Sequence, residues 1–182
     1  MHGPASPGWL LVALCAATGA YCLLRMRSGV EEQRRSAGTE ALMGFGMAAM
    51  AVPAAVFAPP PWAAAAYATV FGGAALRALW AARADAHHLH HLVGDTAMVY
   101  MALAMAGSPG GHGHGGSGVP ALTGVLLLYF SGYVLLSGAR LVPVAGTPAG
   151  PGGAVAWGDR PELSRACRLS MGIAMVAMLL TL

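Results

Sequence analysis

The sequence predicts an all-α protein, a bundle of six transmembrane helices, and three observations lead to this fold class. Hydrophobic residues make up 57% of the 182 residues and charged residues only 9%, against about 25% charged residues in an average soluble domain. Six apolar runs approach or reach the roughly 20 residues that a helix needs to cross a bilayer. The ten basic residues are all arginines, and a six-span topology places them on one side of the membrane. A soluble globule and a disordered chain are both excluded by this composition.

The predicted spans are residues 9–26, 40–58, 62–83, 91–107, 119–140 and 165–182. The first span has no basic residue before it and is followed by Arg25 and Arg27, whereas a cleaved signal peptide has a positively charged segment before its apolar core. We therefore expect span one to be an anchor with the N-terminus outside the cell.

The later spans follow from the same distribution of arginines. With the N-terminus outside, every arginine falls in or beside a cytoplasmic loop, as at Arg83 at the inner end of span three and Arg140 at the inner end of span five. Arginines concentrate in cytoplasmic loops of membrane proteins. The sequence thus predicts a multi-pass protein of the plasma membrane with both termini extracytoplasmic.

The loops between the spans are too short for a second domain. Residues 108–118 form a predicted outer loop rich in Gly and His, and residues 141–164 form a predicted inner linker rich in Gly and Pro. We therefore treat residues 1–182 as a single membrane domain. Any chemistry must then lie in or at the edge of the helix bundle, and no catalytic residue is predicted.

Methionines recur in the same pattern on spans two, four and six. Nine of the 11 methionines fall in three clusters, each ending seven positions after it begins. The clusters are Met43, Met47 and Met50; Met98, Met101 and Met105; and Met171, Met175 and Met178. At about 100° per residue, each cluster forms a stripe on one helix face. We predict three helical hairpins with the Met-striped even helices at the centre.

Methionine stripes favour a soft metal ion. Thioether sulfur is a ligand type that selects Cu(I) over harder cations, and a neutral ligand avoids the cost of burying a charge in hydrocarbon. Copper is therefore the expected ion. The alternative is that the methionines pack the core, since Met fills irregular gaps between helices.

Ionisable residues precede the methionine stripes. His87, His91 and Asp95 follow one another at i, i+4 and i+8 before Met98, and Glu40 lies three residues before Met43. Imidazole at i, i+4 is a metal-ligand spacing, with zinc as the alternative ion. At helix starts, the two carboxylates would instead favour the helix dipole. Arg168, three residues before its own stripe, is placed to pair with either carboxylate across the bundle.

The outer loop carries two further histidines. His112 and His114 alternate with glycine, a composition that indicates metal capture outside the membrane. Arginines do not interleave with aromatic residues, so no nucleic-acid partner is expected. The expected partners are the lipid bilayer, a metal ion, and either further copies of the chain or a larger membrane complex.

Three functions remain open from the residues alone. The first is a membrane protein that binds or translocates Cu(I) through Met, His and carboxylate groups. The second is a structural or accessory membrane subunit without metal. The third is a membrane-embedded hydrolase at the inner interface that uses a Zn²⁺-activated water.

Three segments of the chain carry a resemblance to a known family. EALMGFGMAAMAVP, HHLVGDTAMVYM and CRLSMGIAMVAM, with the Arg-rich inner loops, resemble a family of small polytopic actinobacterial membrane proteins classed as a domain of unknown function. The resemblance covers nearly the whole chain and implies an integral membrane location without an activity. The spacing of Met43 with Met47 and of Met171 with Met175 is also similar to the M-x-x-x-M motif of eukaryotic copper uptake channels, although the helix count differs.

Overall fold

The computed structural model describes residues 6–27, 31–53, 56–57, 59–83, 89–107, 118–140 and 161–182. These residues form six α-helices and no strand, which confirms the all-α prediction. The helices are α1 (Ser6–Arg25), α2 (Glu31–Met50), α3 (Ala63–Ala82), α4 (Leu89–Ala106), α5 (Pro120–Ala139) and α6 (Pro161–Leu179).

The helices pair in chain order as three hairpins. Helix α1 packs along α2, α3 along α4, and α5 along α6. The hairpins meet through α2, which contacts both α4 and α6, while α1 also contacts α6. The predicted hairpins are therefore present, and the even helices meet at the centre with α2 between the other two.

Helices α2 and α6 depart most from the predicted spans, and both begin and end earlier than those spans. Helix α2 spans Glu31–Met50 rather than 40–58. Its first ten residues are polar but include strong helix formers such as Glu, Gln and Arg, and Pro53 prevents the helix from continuing through the apolar residues after it. Helix α6 starts at Pro161 instead of residue 165, because Pro is favoured at the first helical position and Glu162 suits the first turn.

The observed starts of α2 and α4 place two predicted helix-start carboxylates beyond the first turn of their helices. Glu40 lies in the middle of α2, and Asp95 is the seventh residue of α4. The helix dipole acts within the first turn. The prediction that both residues sit at helix starts is therefore wrong, and neither carboxylate serves as a helix cap.

Two of the described helices are long and apolar enough to cross a membrane. They cover Pro7–Arg25 in α1 and Pro120–Ala139 in α5. Helices α2, α4 and α6 carry ionisable residues in their first halves, which lowers their mean hydropathy.

Helix α1 turns its polar side chains inward. Cys15, Thr18, Cys22 and Arg25 are at most 5% exposed, and their spacing of three, four and three places them on one helix face. Leu10, Leu23 and Leu24 on the outer face are 47–73% exposed. This distribution is the reverse of an amphipathic helix on a water-soluble protein.

Glycines allow α1 and α2 to approach closely. A Cβ atom added to Gly44 on α2 would lie 2.9 Å from the Cα and N atoms of Gly19 on α1. Small residues at such contacts let two helix backbones touch. This contact fixes the first hairpin and so sets the position of α1 relative to the core.

Candidate functional site

Seven of the nine striped methionines are buried in one hydrophobic cluster. The methionine cluster consists of Met43, Met47, Met98, Met101, Met171, Met175 and Met178. Met47 and Met98 are fully buried and Met175 is 2% exposed. The prediction that these three residues turn inward where α2, α4 and α6 meet is confirmed.

Two striped methionines lie outside this cluster. Met50, the last residue of α2, is partly buried and packs against the cluster edge. Met105 is 48% exposed, so it does not share the inward position predicted for the stripe on α4. It lies one residue before the end of that helix, at the end of the bundle, where fewer neighbouring side chains pack against it.

Methionines and glycines of α2 and α4 fit into one another. A Cβ on Gly94 would lie 2.9 Å from the methyl carbon of Met43, and a Cβ on Gly46 would lie 3.2 Å from the methyl carbon of Met98. Met43 of α2 thus inserts into a glycine notch on α4, whereas Met98 of α4 shares the notch at Gly46 with the Phe71 ring of α3, which lies nearer. The terminal methyl groups are fixed by this packing, and it holds the two stripes against each other.

A buried charged cluster, made of Arg25, Glu40 and Arg168, joins three helices at one end of the methionine cluster. Arg25 Nη1 donates to Glu40 Oε2 at 2.5 Å, and Arg168 Nε donates to Glu40 Oε1 at 2.8 Å. The side chains of Arg25 and Glu40 are each 1% exposed, and that of Arg168 is 30% exposed. The predicted pairing of Arg168 with a carboxylate across the bundle is confirmed.

Further hydrogen bonds tie the charged cluster to its neighbours. The Cys22 thiol donates to Glu40 Oε2 at 3.7 Å. One residue earlier on α2, the Thr39 hydroxyl accepts from Arg77 Nη2 of α3 at 3.0 Å. Glu40 therefore lies in a polar layer that reaches from α1 and α6 to α3.

Asp95 is a buried carboxylate that has no hydrogen-bond partner within the described ranges of the chain. Its side chain is 1% exposed, and neither carboxylate oxygen has a partner among the described residues. Buried polar groups in proteins are nearly always hydrogen-bonded, because an unpaired group loses its hydration without compensation. Asp95 lies three residues before Met98 on α4, so the unpaired oxygens adjoin the methionine cluster in sequence and on the helix.

A cavity of about 350 Å³ opens between α2, α4, α5 and α6. Glu40 and Arg168 of the charged cluster line it, together with Met43, Met171 and Met175 of the methionine cluster. The cavity therefore adjoins both groups and connects them to the surface.

His90 and His91 contribute to the wall of this cavity. The His90 ring stacks on Tyr133 with a centroid distance of 4.0 Å, and its Nδ1 lies 2.9 Å from the Tyr129 hydroxyl oxygen. These contacts fix the His90 ring against α5 and join the second and third hairpins beside the cavity.

The predicted ligands are only partly brought together. His91 lines the cavity and Asp95 is buried in α4, whereas His87, His112 and His114 lie outside the described residues. Within the described ranges, no group of three or more His, Cys, Asp or Glu residues is arranged to hold a metal ion. Both oxygens of Glu40 accept from arginines, so its role as a metal ligand stays a prediction.

Three residues of the site were not among the predicted ones. Cys15 is 1% exposed and packs with the methionine cluster, Arg25 pairs with Glu40, and His90 lines the cavity. The spacing of Cys15 and Arg25 on one face of α1 was a usable signal. For His90, the signal was the pair Tyr129 and Tyr133 on α5. Their spacing of four residues places both rings on one helix face, against which a third ring can pack.

Comparison with known proteins gives a family but no activity. A family model described as a domain of unknown function (DUF5134) matches residues 32–182. No curated protein and no solved structure matches the chain.

Proposed function

The chain belongs to the DUF5134 family. We propose that this member of the family is a six-span membrane protein that binds or translocates Cu(I). The observation that carries the proposal is the burial of seven methionines from three separate helices in one cluster. Thioether ligands select Cu(I) among biological metal ions. A column of neutral ligands two turns tall would hold such an ion without trapping it.

Asp95 and Cys15 support this proposal by supplying what thioethers lack. A Cu(I) ion carries a positive charge that neutral sulfur does not balance, and burying an uncompensated charge is costly. The unpaired Asp95 carboxylate beside Met98 offers a negative charge, and the buried Cys15 thiol offers a further soft ligand. A bound cation would in turn resolve the missing partner of Asp95.

The cavity supports the proposal by giving access to the methionine cluster. Met43, Met171 and Met175 belong to the cluster and also line the cavity. In the proposed orientation this cavity lies at the cytoplasmic end of the bundle. The charged cluster then forms the polar boundary at which an ion exchanges between the thioethers and the cytoplasm.

The membrane location is supported by the exposed surface. Large apolar side chains such as Leu128 (77% exposed), Leu135 (73%) and Trp80 (71%) face outward, while α1 keeps its polar residues inside. Large exposed apolar areas mark contact with lipid or with another protein. Together with two helices that can cross a bilayer, this surface favours a plasma-membrane bundle.

Copper content tests the proposal. Replacing Met43, Met47, Met98 and Met175 together with Leu roughly conserves side-chain volume, and such exchanges usually cost less than about 1.5 kcal/mol each. The purified variant should keep its helix content and lose most of the Cu(I) that the wild-type protein retains under reducing conditions. Elemental analysis and a competition titration with a Cu(I) chelator measure the loss.

Two exposed methionines provide the matched control. Met26 and Met105 are 43% and 48% exposed, so exchanging both for Leu removes thioethers without touching the methionine cluster. This control should bind copper as the wild type does. Equal copper stoichiometry in the cluster variant and the wild type would contradict the proposed site.

Cysteine labelling tests the orientation. In a chain whose three native cysteines are replaced by Ser, Ser117→Cys should react with a membrane-impermeant maleimide in intact cells. Gly153→Cys should react only after permeabilisation, because the arginines place that linker inside. Labelling of Gly153→Cys in intact cells would reverse the proposed topology.

One observation favours the second candidate, a structural or accessory membrane subunit. The methyl group of Met43 fills a glycine notch, and that of Met98 packs beside Phe71 over Gly46, which is a packing role that needs no metal. If the wild-type protein retains no copper under reducing conditions, this candidate replaces the first.

A further inference from the structure

The cavity has a charge balance that a copper site does not explain. The charged cluster combines two guanidinium groups with one carboxylate, which leaves one positive charge in excess. Arg25 is buried behind Glu40, whereas Arg168 is 30% exposed and lines the cavity. The excess positive charge therefore faces the cavity on Arg168.

Arg168 has donors left for a ligand. A guanidinium carries five N–H donors in a fixed planar arrangement, and the bond from Nε to Glu40 uses one of them. Arginine recognises carboxylate and phosphate groups through paired N–H donors. The remaining N–H donors of Arg168 therefore favour an oxyanion at this position.

Apart from Glu40, His90 and His91, the remaining wall of the cavity is mostly apolar and aromatic. Phe130 is 2% exposed, Met171 is 9% exposed, and both line the cavity with Met175 and Tyr133. A small inorganic anion would leave this wall uncovered. A ligand pocket of this kind, with a largely apolar lining and few polar groups, buries an apolar body and orients it through one polar contact.

We propose that the cavity binds an amphipathic oxyanion, with its carboxylate or phosphate on Arg168 and its apolar body along Phe130, Met171 and Met175. The ligand chemistry is a singly charged oxyanion head attached to an apolar chain. A membrane lipid headgroup and a free fatty acid both supply it. This inference does not depend on copper, since its anchor is the Arg168 guanidinium and its apolar wall includes Phe130, although Met171 and Met175 belong to both sites.

Binding to the full-length protein in a nonionic detergent tests the inference. Laurate supplies the carboxylate source and dioctanoyl phosphatidate the lipid source, while dioctanoyl phosphatidylcholine and inorganic phosphate serve as references. Native mass spectrometry gives the dissociation constant of each. At least one of the two oxyanions with a chain should bind about tenfold tighter than either reference, since a hydrogen bond to a charged group and apolar burial each add affinity.

Variants on α6 and at the cavity rim distinguish binding in the cavity from non-specific electrostatic attraction of an anion to the protein surface. Arg168→Gln removes the proposed anchor while Arg25 still neutralises Glu40, so the fold should persist and the affinity should fall about tenfold to hundredfold. Arg165→Gln removes an exposed charge three residues earlier on the same helix and should leave the affinity unchanged. Leu89→Trp enlarges a half-exposed residue of the cavity lining and should weaken binding while Arg168 is intact.

Each outcome decides the proposal. Binding of phosphatidate alone identifies a lipid headgroup as the source, and binding of laurate alone identifies a free carboxylate. Equal binding of phosphatidylcholine or inorganic phosphate would overturn the inference. Equal losses in Arg165→Gln and Arg168→Gln, or unchanged binding in Leu89→Trp, would overturn it as well.

Discussion

Replacing Glu40 with Gln is expected to destabilise the protein by about 3–5 kcal/mol, the cost of leaving a buried charge without its partner. Arg25 is 1% exposed and has Glu40 as its ion-pair partner, and no residue in the described part of the chain accepts a hydrogen bond from its Nε. Without the carboxylate, the Arg25 guanidinium has no compensating charge among the described residues. Thermal unfolding of the purified variant in detergent should show a clearly lowered Tm.

Two further variants isolate the cause of this loss. Glu31 and Arg34 form an exposed ion pair whose side chains are about half exposed, and Glu31→Gln should cost no more than about 1 kcal/mol. The double variant Arg25→Gln/Glu40→Gln removes the stranded charge together with its partner and should be more stable than Glu40→Gln alone. If the double variant is as unstable as the single one, the buried charge is not the cause.

Replacing Gly44 with Ala is the second change with a large expected effect. The added methyl group would lie 2.9 Å from the Cα and N atoms of Gly19, and backbone atoms of a packed helix cannot move aside as a side chain can. Overpacking of this kind costs about 1–3 kcal/mol. The variant should unfold at a lower temperature, and α1 should separate more readily from α2.

The same substitution at Gly72 provides the control. A Cβ on Gly72 of α3 meets nothing within 4 Å, and Ala is favoured over Gly inside a helix by about 0.5–1 kcal/mol. Gly72→Ala should therefore raise stability slightly while Gly44→Ala lowers it. A shift in the same direction for both would show that helix propensity, and not the contact with α1, controls the result.

Hydropathy and periodicity predicted the number of helices and the inward face of the methionine stripes. They did so because an apolar run and a repeat of three to four residues are both local patterns, which can be recognised within the sequence of a single helix. The early starts of α2 and α6 were not predicted. A polar first turn becomes helical because of its helix propensity and its capping residues. A search for runs of apolar residues does not detect either property.

It was harder to predict which site residues pair with one another than to predict which residues belong to the site. Glu40 and Arg168 were selected because they occupy equivalent positions before their stripes, and the structure joins them. Arg25 was assigned to a cytoplasmic loop by its position at the end of an apolar run. Its spacing from Cys15 shows that the two residues share one face of α1. The inward direction of that face depends on how α1 rotates against α2, which is set by the contact of Gly19 with Gly44.

The charged cluster also has a bearing on biosynthesis. Arg25 and Glu40 are 15 residues apart, whereas Arg168 lies 128 residues beyond Glu40. The first two partners can meet as soon as the ribosome has released the first hairpin, so one buried charge is cancelled by the other before the later helices are made. The third partner is made 128 residues after Glu40, so its bond to Glu40 joins the first hairpin to a helix that is synthesised much later.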